Sequence, residues 1–198
     1  VVFFNYGLDT GTVWATEPVH EPILWRHVAW TPESPNREIK QRSRWGWIFY
    51  RRIKTNKTFY RPMNRTVHAH LKSIMPESPD PNAPVFRGGG SRPNVRFRAL
   101  CRLAGIQPRH DIETGEEKSW LLKDLRKTAA TYYDEHVPES SVEILGHSVA
   151  GITSRHYAHR APLAFRAIMT LPQPSAFAAM ATGFDGQCPC CRRAFMDG

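Results

Sequence analysis

Apolar side chains recur at helical spacing in the last third of the chain, over residues 119–135. The positions that carry this repeat are Leu122, Leu125, Ala129 and Tyr132. Spacings of three and four residues place them on one face, so the pattern predicts a helix that is buried along that face. Lys123 and Arg126 lie three residues apart and are therefore predicted to be neighbours on a second, more polar face.

A shorter apolar pattern follows and stops at a glycine. Pro138 and Ser140 begin it, and Gly146 suits the left-handed backbone position that commonly ends a helix. His147 is the first residue after this predicted stop, and Tyr157 comes later on a predicted short helical turn. Two cations, an imidazole and a phenol in this order are side chains suited to chemistry on a phosphate group.

The remaining patterns predict a mainly helical α+β domain with one small antiparallel sheet. Residues 45–63 are rich in aromatic side chains around a tight turn, which predicts a hairpin. Asn64 is a predicted helix cap, and residues 75–93, rich in Pro and Gly, are predicted to form an exposed loop. Helices are also predicted over most of residues 1–28, over 94–105 with Leu100 and Cys101 on the apolar face, and over 161–171, with a loop over 29–44.

Positive charge is concentrated around the predicted hairpin. The chain has a net charge of +9, and residues 37–65 contain ten Lys or Arg against one acid, Glu38. Cations interleaved with Trp and Tyr are typical of a surface that follows a phosphate backbone, so nucleic acid is the predicted partner. An edge hairpin protected by solvated cations is the alternative. The predicted DNA-binding residues are Arg44, Arg51, Arg52, Lys57, Arg61 and Arg155.

Composition argues against other classes of function. No apolar run approaches the roughly 18 residues that a membrane-spanning helix needs, so no membrane partner is expected. Four cysteines, three of them near the end of the chain, do not form a secreted disulfide framework and indicate a reducing, cytoplasmic setting. Cys188, Cys190 and Cys191 are similar to half of a zinc ribbon, but a closed zinc site requires a second pair. No metal is therefore predicted, and a zinc-dependent binding module is a weak alternative.

Three short motifs in residues 119–159 resemble the catalytic domain of the tyrosine recombinases, the phage integrase family. That family has a His/Lys-x-x-Arg motif, then Leu-Gly-His, and then a tyrosine nine or ten residues later. This chain has Lys123-Asp-Leu-Arg126, Leu145-Gly-His147 and Arg155-His-Tyr157. The similarity is strongest in this segment and weaker over residues 1–171.

The resemblance implies site-specific recombination or integration of DNA through a covalent intermediate. In this type of reaction Tyr157 attacks a phosphodiester, and Arg126, Lys123 and His147 bind the phosphate that is attacked. His147 is also expected to accept the tyrosine proton. No cofactor is expected, because the covalent intermediate conserves the energy of the broken bond.

Lys54, in the turn of the predicted hairpin, resembles the family's lysine that reaches the cleaved bond. An ammonium group can protonate a leaving oxygen, whereas a guanidinium hardly gives up its proton. Lys57 is the alternative for this role. The resemblance further implies double-stranded DNA as the partner and an oligomer on DNA, a tetrameric synapse.

The first part of the chain departs from the family pattern. Family members carry their first catalytic arginine in a Gly-Leu-Arg context, where this chain has Gly7-Leu8-Asp9. Because an aspartate repels a phosphate, either another cation such as Arg26 reaches the site, or the domain binds DNA with impaired catalysis. A type IB topoisomerase-like enzyme, which shares the chemistry without joining two sites, is a further alternative.

The resemblance also implies the organisation of the chain. Residues 1–175 are predicted to form the recombinase-like catalytic domain, and residues 176–198 a tail with the cysteine cluster. The DNA-clamping domain that the family places before the catalytic domain has no counterpart in this sequence. Since the first residues, VVFFNYGL, are typical of the middle of a buried helix, we expect a fragment of a longer protein.

Overall fold

The computed structural model describes residues 1–8, 10–14, 21–52, 57–86, 92–146, 157–175 and 177, with the backbone alone for 157–161. Seven α-helices and five short strands lie within these ranges, which agrees with a mixed α+β class. The helices are α1 (Val2–Tyr6), α2 (Thr10–Trp14), α3 (Arg65–Ile74), α4 (Pro93–Leu103), α5 (Leu122–His136), α6 (Ser140–Leu145) and α7 (Tyr157–Thr170). The strands are β1 (Val28–Ala29), β2 (Trp47–Arg52), β3 (Lys57–Pro62), β4 (Arg109–His110) and β5 (Glu117–Lys118), and a 3₁₀ turn covers Trp25–His27.

The predicted hairpin is confirmed, and it forms two strands of a three-stranded antiparallel sheet with the order β1-β2-β3. β2 pairs with β3 from Trp47 opposite Pro62 to Arg52 opposite Lys57. β1 pairs on the other edge of β2, with Val28 opposite Ile48. The sequence analysis placed Val28 at the end of a helical region and Ala29 in a loop, because a strand of two residues is too short for an alternating pattern to reveal. The small β4–β5 ladder was missed for the same reason.

One face of the sheet and the surrounding helices enclose a single cluster of buried apolar side chains. Tyr6, Ile48, Val67, Ile144 and Ile168 are all less than 2% exposed and come from α1, β2, α3, α6 and α7. Elements far apart in the sequence are thus held together by apolar burial. This arrangement places the carboxyl end of α6 beside the hairpin. None of the described helices is long and apolar enough to cross a membrane.

The helix predicted over 119–135 is confirmed with a shifted start, and its predicted face packs on the core, with Leu122 and Ala129 buried and Leu125 and Tyr132 partly buried. It begins at Leu122, and Tyr133 rather than Tyr132 is fully buried. The Tyr133 hydroxyl donates to the carbonyl oxygen of Asn5 at 2.6 Å. A buried hydroxyl needs such a partner, and α1 supplies it on this side of α5.

Two other predictions of burial were partly wrong. Cys101 is buried as predicted, but Leu100 and Leu103 on the same helix are 61% and 84% exposed. The segment predicted as an exposed loop contains a buried residue, Val85, whose backbone N–H donates to Ile23 at 2.8 Å. Local patterns do not reveal which neighbour covers a helix face or a loop.

Asn64 caps α3 as predicted and also joins three segments. Its side-chain oxygen accepts from the Val67 N–H at 3.0 Å. Its Nδ2 donates to Asn5 Oδ1 at 2.6 Å and to the Ile168 carbonyl at 3.4 Å. One buried side chain therefore connects α1, α3 and α7, the helix that begins with Tyr157.

Candidate functional site

The carboxyl end of α6 is the centre of the candidate site. The helix stops at Gly146, whose backbone is left-handed with φ 61°, as predicted. The last carbonyl oxygens of an α-helix have no N–H donor within the helix and accept hydrogen bonds from other groups. Here arginine side chains supply those donors. The residue that follows Gly146 is His147, which lies outside the described residues.

Three guanidinium groups from three different elements donate to these carbonyls. Arg126 of α5 donates through Nη1 to Gly7 and through Nη2 to Leu145, the latter at 2.8 Å. Arg52, the last residue of β2, donates through Nη1 to Leu145 and, at 3.2 Å, to Gly146. Arg61 of β3 donates through Nη2 to Glu143 at 2.5 Å.

Arg61 differs from the other two because it is buried. Its side chain is 6% exposed, and Nη1 lies 3.6 Å from Oε1 of Glu143. The guanidinium also lies over the Phe59 ring, 4.9 Å from its centroid. The sequence placed Arg61 on a DNA-binding surface, but the structure places it in the interior. Its contacts hold the hairpin against α6.

Tyr50 shows how closely the three cations are grouped. Burial raises the pKa of this phenol above its ordinary value of 10, as the largest effect. The charge and hydrogen bond of Arg61 and the charges of Arg52 and Arg126 act in the opposite direction. All three guanidinium groups are therefore within electrostatic range of one buried side chain.

Glycines permit the close approach at this point. At Gly146, which has a positive φ, a Cβ atom would lie 2.5 Å from Phe59 Cζ and 3.0 Å from Arg52 Nη1. At Gly7, with φ 54°, it would lie 2.1 Å from Leu145 Cδ2. Both the backbone conformation and the space require glycine. Gly7, whose carbonyl accepts from Arg126, therefore lies at the same site.

The structure describes only part of the predicted catalytic set. Arg126 is half-buried at the site and Lys123 is exposed on the first turn of α5. Tyr157 is the first residue of α7, and its side chain is outside the description. Also outside the described residues are Lys54, His147, Arg155 and Asp9.

Arg26, the sequence candidate for the missing first arginine, makes other contacts. Its guanidinium pairs with Glu21 and bonds to Asn82 Oδ1. Arg52 is the residue that instead brings a guanidinium to Arg126. The sequence placed Arg52 among general DNA contacts and missed its position at α6. The sequence did contain one signal for this position: Arg52 comes two residues before Lys54, the predicted catalytic lysine of the hairpin turn.

Three further predicted DNA-binding residues, all in or next to the hairpin, lie at the surface. Arg44, Arg51 and Lys57 are exposed, and Arg44 also stacks on Trp45 at 5.0 Å from the ring centroid. Arg51 and Lys57 are exposed on the two strands of the hairpin, next in the sequence or in the strand register to the half-buried Arg52. Such a surface is able to follow a polyanion.

Three of the six tyrosines are unsuited to nucleophilic chemistry because they are buried. The hydroxyl of Tyr6 donates to the Pro62 carbonyl at 3.1 Å, and that of Tyr133 to Asn5. Burial raises the pKa of Tyr6, Tyr50 and Tyr133, which keeps these phenols protonated. The remaining tyrosines are Tyr60, Tyr132 and Tyr157.

Metal binding finds no support in the described part of the chain. No group of three or more His, Cys, Asp or Glu side chains is placed there to hold an ion. Cys101 is a free, buried thiol. The candidate zinc ligands Cys188, Cys190 and Cys191 lie outside the described residues. Phe177, the one described residue of that tail, packs its ring against Phe4 with centroids 5.7 Å apart.

Comparison with known proteins adds no assignment to this geometry. No protein-family model, curated protein or solved structure matches this chain, so the chemistry of the site has to be inferred from its own residues.

Proposed function

We propose that this chain is the strand-cleaving domain of a tyrosine recombinase-type enzyme, which cuts and rejoins double-stranded DNA at specific sites. The observation that supports the proposal most is the position of Arg126. Its guanidinium donates to Leu145, two residues before His147 in the chain. Two motifs that the sequence separates by about six turns of helix are thereby adjacent in space.

The proposed reaction is a transesterification. The Tyr157 oxygen forms a bond to a DNA phosphorus, and the bond from that phosphorus to the 5′ oxygen of the next nucleotide breaks. The phenolic proton passes to His147, and Lys54 gives a proton to the leaving oxygen. The products are a 3′-phosphotyrosyl link and a free 5′ hydroxyl. Attack by the hydroxyl of a second strand reverses both bond changes.

Arg126 has the role of stabilising the extra negative charge on the phosphate oxygens. A guanidinium does this well because its donors form a rigid fork. The contacts to Gly7 and Leu145 fix its orientation before DNA binds. Loss of one such preorganised donor commonly costs about a hundredfold to a thousandfold in rate. Lys123, exposed one turn earlier on α5, is placed to supply a further donor.

A second candidate is a recombinase-derived protein that binds DNA without transferring strands. The observation that favours it is Asp9 at the position where the family pattern expects an arginine. In that case the exposed cations of the hairpin would bind DNA, and no covalent product would form. The two candidates differ in one product, a covalent protein–DNA adduct.

The experiment is a covalent trapping assay with the full-length protein. The substrate is a pool of DNA duplexes with random flanks around a nick placed so that cleavage releases a short strand. Release of that strand prevents rejoining, so the adduct accumulates and survives SDS. Adducts are recovered and the attached DNA is sequenced, which also reads the target sequence.

The proposal predicts adducts with the wild-type protein and none with Tyr157→Phe. The matched control is Tyr60→Phe, because Tyr60 is a half-buried tyrosine of β3 and keeps its ring after the change. Adducts that persist in Tyr157→Phe overturn the assigned nucleophile. A wild-type protein that binds the pool and gives no adduct supports the second candidate.

A further inference from the structure

We propose that a cleft beside α4 is a docking site for a partner protein, and that it binds a segment in which acidic residues lie next to apolar ones. The cleft has a volume of about 420 Å³, which is within the range of about 300–1,000 Å³ that ligand sites commonly have. Its lining includes Val95, Arg98, Arg102, Ile106 and Trp120. None of these residues belongs to the candidate catalytic site, so the inference is independent of the reaction proposed above.

Charged and apolar side chains follow one another along the cleft in a fixed order. Val95 lies about one turn before Arg98 on α4, Arg102 lies about one turn after it, and Ile106 follows the end of the helix. Residues four apart on a helix share a face, with about 5–6 Å between their Cβ atoms. Val95 and Ile106 are 46% and 51% exposed. The order along the cleft is therefore apolar, cation, cation, apolar.

The two arginines of the cleft have no acidic partner within the described residues. Arg98 Nε donates to the carbonyl oxygen of Asn94 at 3.3 Å, and no ion pair involves Arg98 or Arg102 in the described part of the chain. Neither α4 nor the described lining of the cleft contains an acidic side chain. A guanidinium binds a carboxylate through two parallel, charge-assisted hydrogen bonds. Charge complementarity therefore predicts an acidic occupant.

The ring of Trp120 gives the cleft an ordered aromatic wall. Its indole N–H donates to the carbonyl oxygen of Gln107 at 2.8 Å, and the Arg109 guanidinium lies over the ring, 5.5 Å from its centroid. A wall that is ordered before the occupant arrives loses little entropy on binding. An apolar side chain that enters the cleft beside Trp120 removes exposed apolar surface from water, which favours binding.

A protein segment suits this lining better than a nucleic acid or a second copy of this chain does. A nucleic-acid backbone offers phosphates to the arginines but no apolar group to the exposed Val95 and Ile106. A second copy would bring together two chains that each have a net charge of +9, and this charge opposes their association. An acidic segment with apolar neighbours matches both kinds of side chain in the cleft.

The experiment is a selection of short random peptides displayed on phage, with the full-length protein as the bait. A parallel selection uses the variant that carries both Arg98→Glu and Arg102→Glu. The single substitutions and Ile106→Ser are then tested for affinity. Arg37→Glu in an exposed loop is the control for charge, and Ile74→Ser at the exposed end of α3 is the control for apolar surface. Thermal unfolding confirms that each variant folds.

The proposal predicts that the wild-type protein enriches peptides with acidic residues next to apolar ones, and that the doubly substituted variant does not. A synthetic peptide of the enriched sequence should bind about tenfold more weakly to Arg98→Glu, Arg102→Glu and Ile106→Ser, and equally well to both controls. The NMR signal of the Trp120 indole N–H, assigned through Trp120→Phe, should shift as this peptide is added.

Other results would overturn the proposal. If the wild-type protein enriches no such peptides, or the doubly substituted variant enriches the same ones, the cleft is an ordinary solvated surface. If duplex DNA displaces the peptide and binds about tenfold more weakly to Arg98→Glu but not to Arg37→Glu, the cleft belongs to a nucleic-acid surface. A wild-type dimer in sedimentation velocity that becomes monomeric in Ile106→Ser would assign the cleft to a second copy.

Discussion

The guanidinium groups of Arg52 and Arg126 donate to one oxygen atom, the carbonyl of Leu145. One arginine ends a strand of the hairpin and the other lies on α5, so the shared acceptor joins both elements to the end of α6. The packing of Gly146 against Phe59 closes the same junction. Structural stability and the candidate chemistry therefore depend on a few contacts at one helix end.

Gly146→Ala should destabilise the protein more than Gly105→Ala. Both glycines have a positive φ, which costs an alanine about 1–2 kcal/mol. The new methyl group at residue 146 would lie 2.5 Å from Phe59, whereas nothing lies within 4 Å at residue 105. The added overlap should contribute about 1–3 kcal/mol, measured by urea unfolding. Equal losses in the two variants would show that the junction is looser than the structure indicates.

Arg61→Ala should lower the free energy of unfolding far more than Arg42→Ala does. Removing one partner of a buried ion pair costs about 3–5 kcal/mol, because Glu143 is left without its cation. The Arg42–Glu33 pair is 70% and 62% exposed, and an exposed pair contributes about 0–1 kcal/mol. Chemical denaturation of both variants measures the difference. The burial of Arg61 is contradicted if the two losses agree within about 1 kcal/mol.

The sequence predicts this fold to the extent that local patterns carry it. The hairpin, the Asn64 cap, the helix containing Lys123 and Arg126, and the left-handed Gly146 all have local signals and are confirmed. The full burial of Tyr133 on α5 was not predicted, because its partner Asn5 is distant in the chain. Pairing of β1 and burial of Val85 are likewise decided by distant partners.

Asn64→Asp should be costly although aspartate is as good a helix cap as asparagine. The carboxylate keeps the acceptor for Val67 but removes the amide that donates to Asn5 Oδ1 and to Ile168. Burying it against two oxygen atoms should cost about 2 kcal/mol or more. Asn64→Ser, which keeps a cap and a hydroxyl donor, is the control. If the aspartate variant had the same melting temperature as the wild-type protein, the buried contacts of Asn64 with Asn5 and Ile168 would be refuted.

Stability should fall as the solution is acidified below the ordinary pKa of histidine, 6.5. Burial, and secondarily the charge of Lys72, lower the pKa of His68, which packs against Trp30 and Trp45. The folded state therefore binds the proton less well than the unfolded chain. The contribution of His68 to the free energy of unfolding is complete above its pKa in the unfolded chain. It is lost as the pH falls through its lower pKa in the folded protein.

Thermal unfolding at about pH 7.5 and about pH 5.5 measures this effect. His68→Gln, which does not titrate, should lose less stability between the two pH values than the wild-type protein. Burial also lowers the pKa of His27 and His70, so part of the dependence should remain in the variant. A wild-type protein that gains stability on acidification would reverse the predicted sign.

The candidate site was predictable only where its motifs are contiguous. Lys123, Arg126 and Gly146 could be placed from helical spacing and a glycine stop. The convergence of Arg52 with Arg126 joins residues that are far apart in the chain, and no periodicity indicates it. Arg61 shows the reverse case, since a cation in a basic strand looks like a surface residue until Glu143 is seen beside it.

The central claim is that a DNA phosphate is attacked by the phenol of Tyr157 beside the arginines at the end of α6. Mass spectrometry tests it most directly, on the SDS-stable adduct after digestion of the DNA by nucleases and of the protein by a protease. The account predicts a nucleotide joined through its 3′ phosphate to Tyr157, with a free 5′ hydroxyl on the released strand. A nucleotide on Tyr60, on Tyr132 or on any other residue, or a link through a 5′ phosphate, would contradict it.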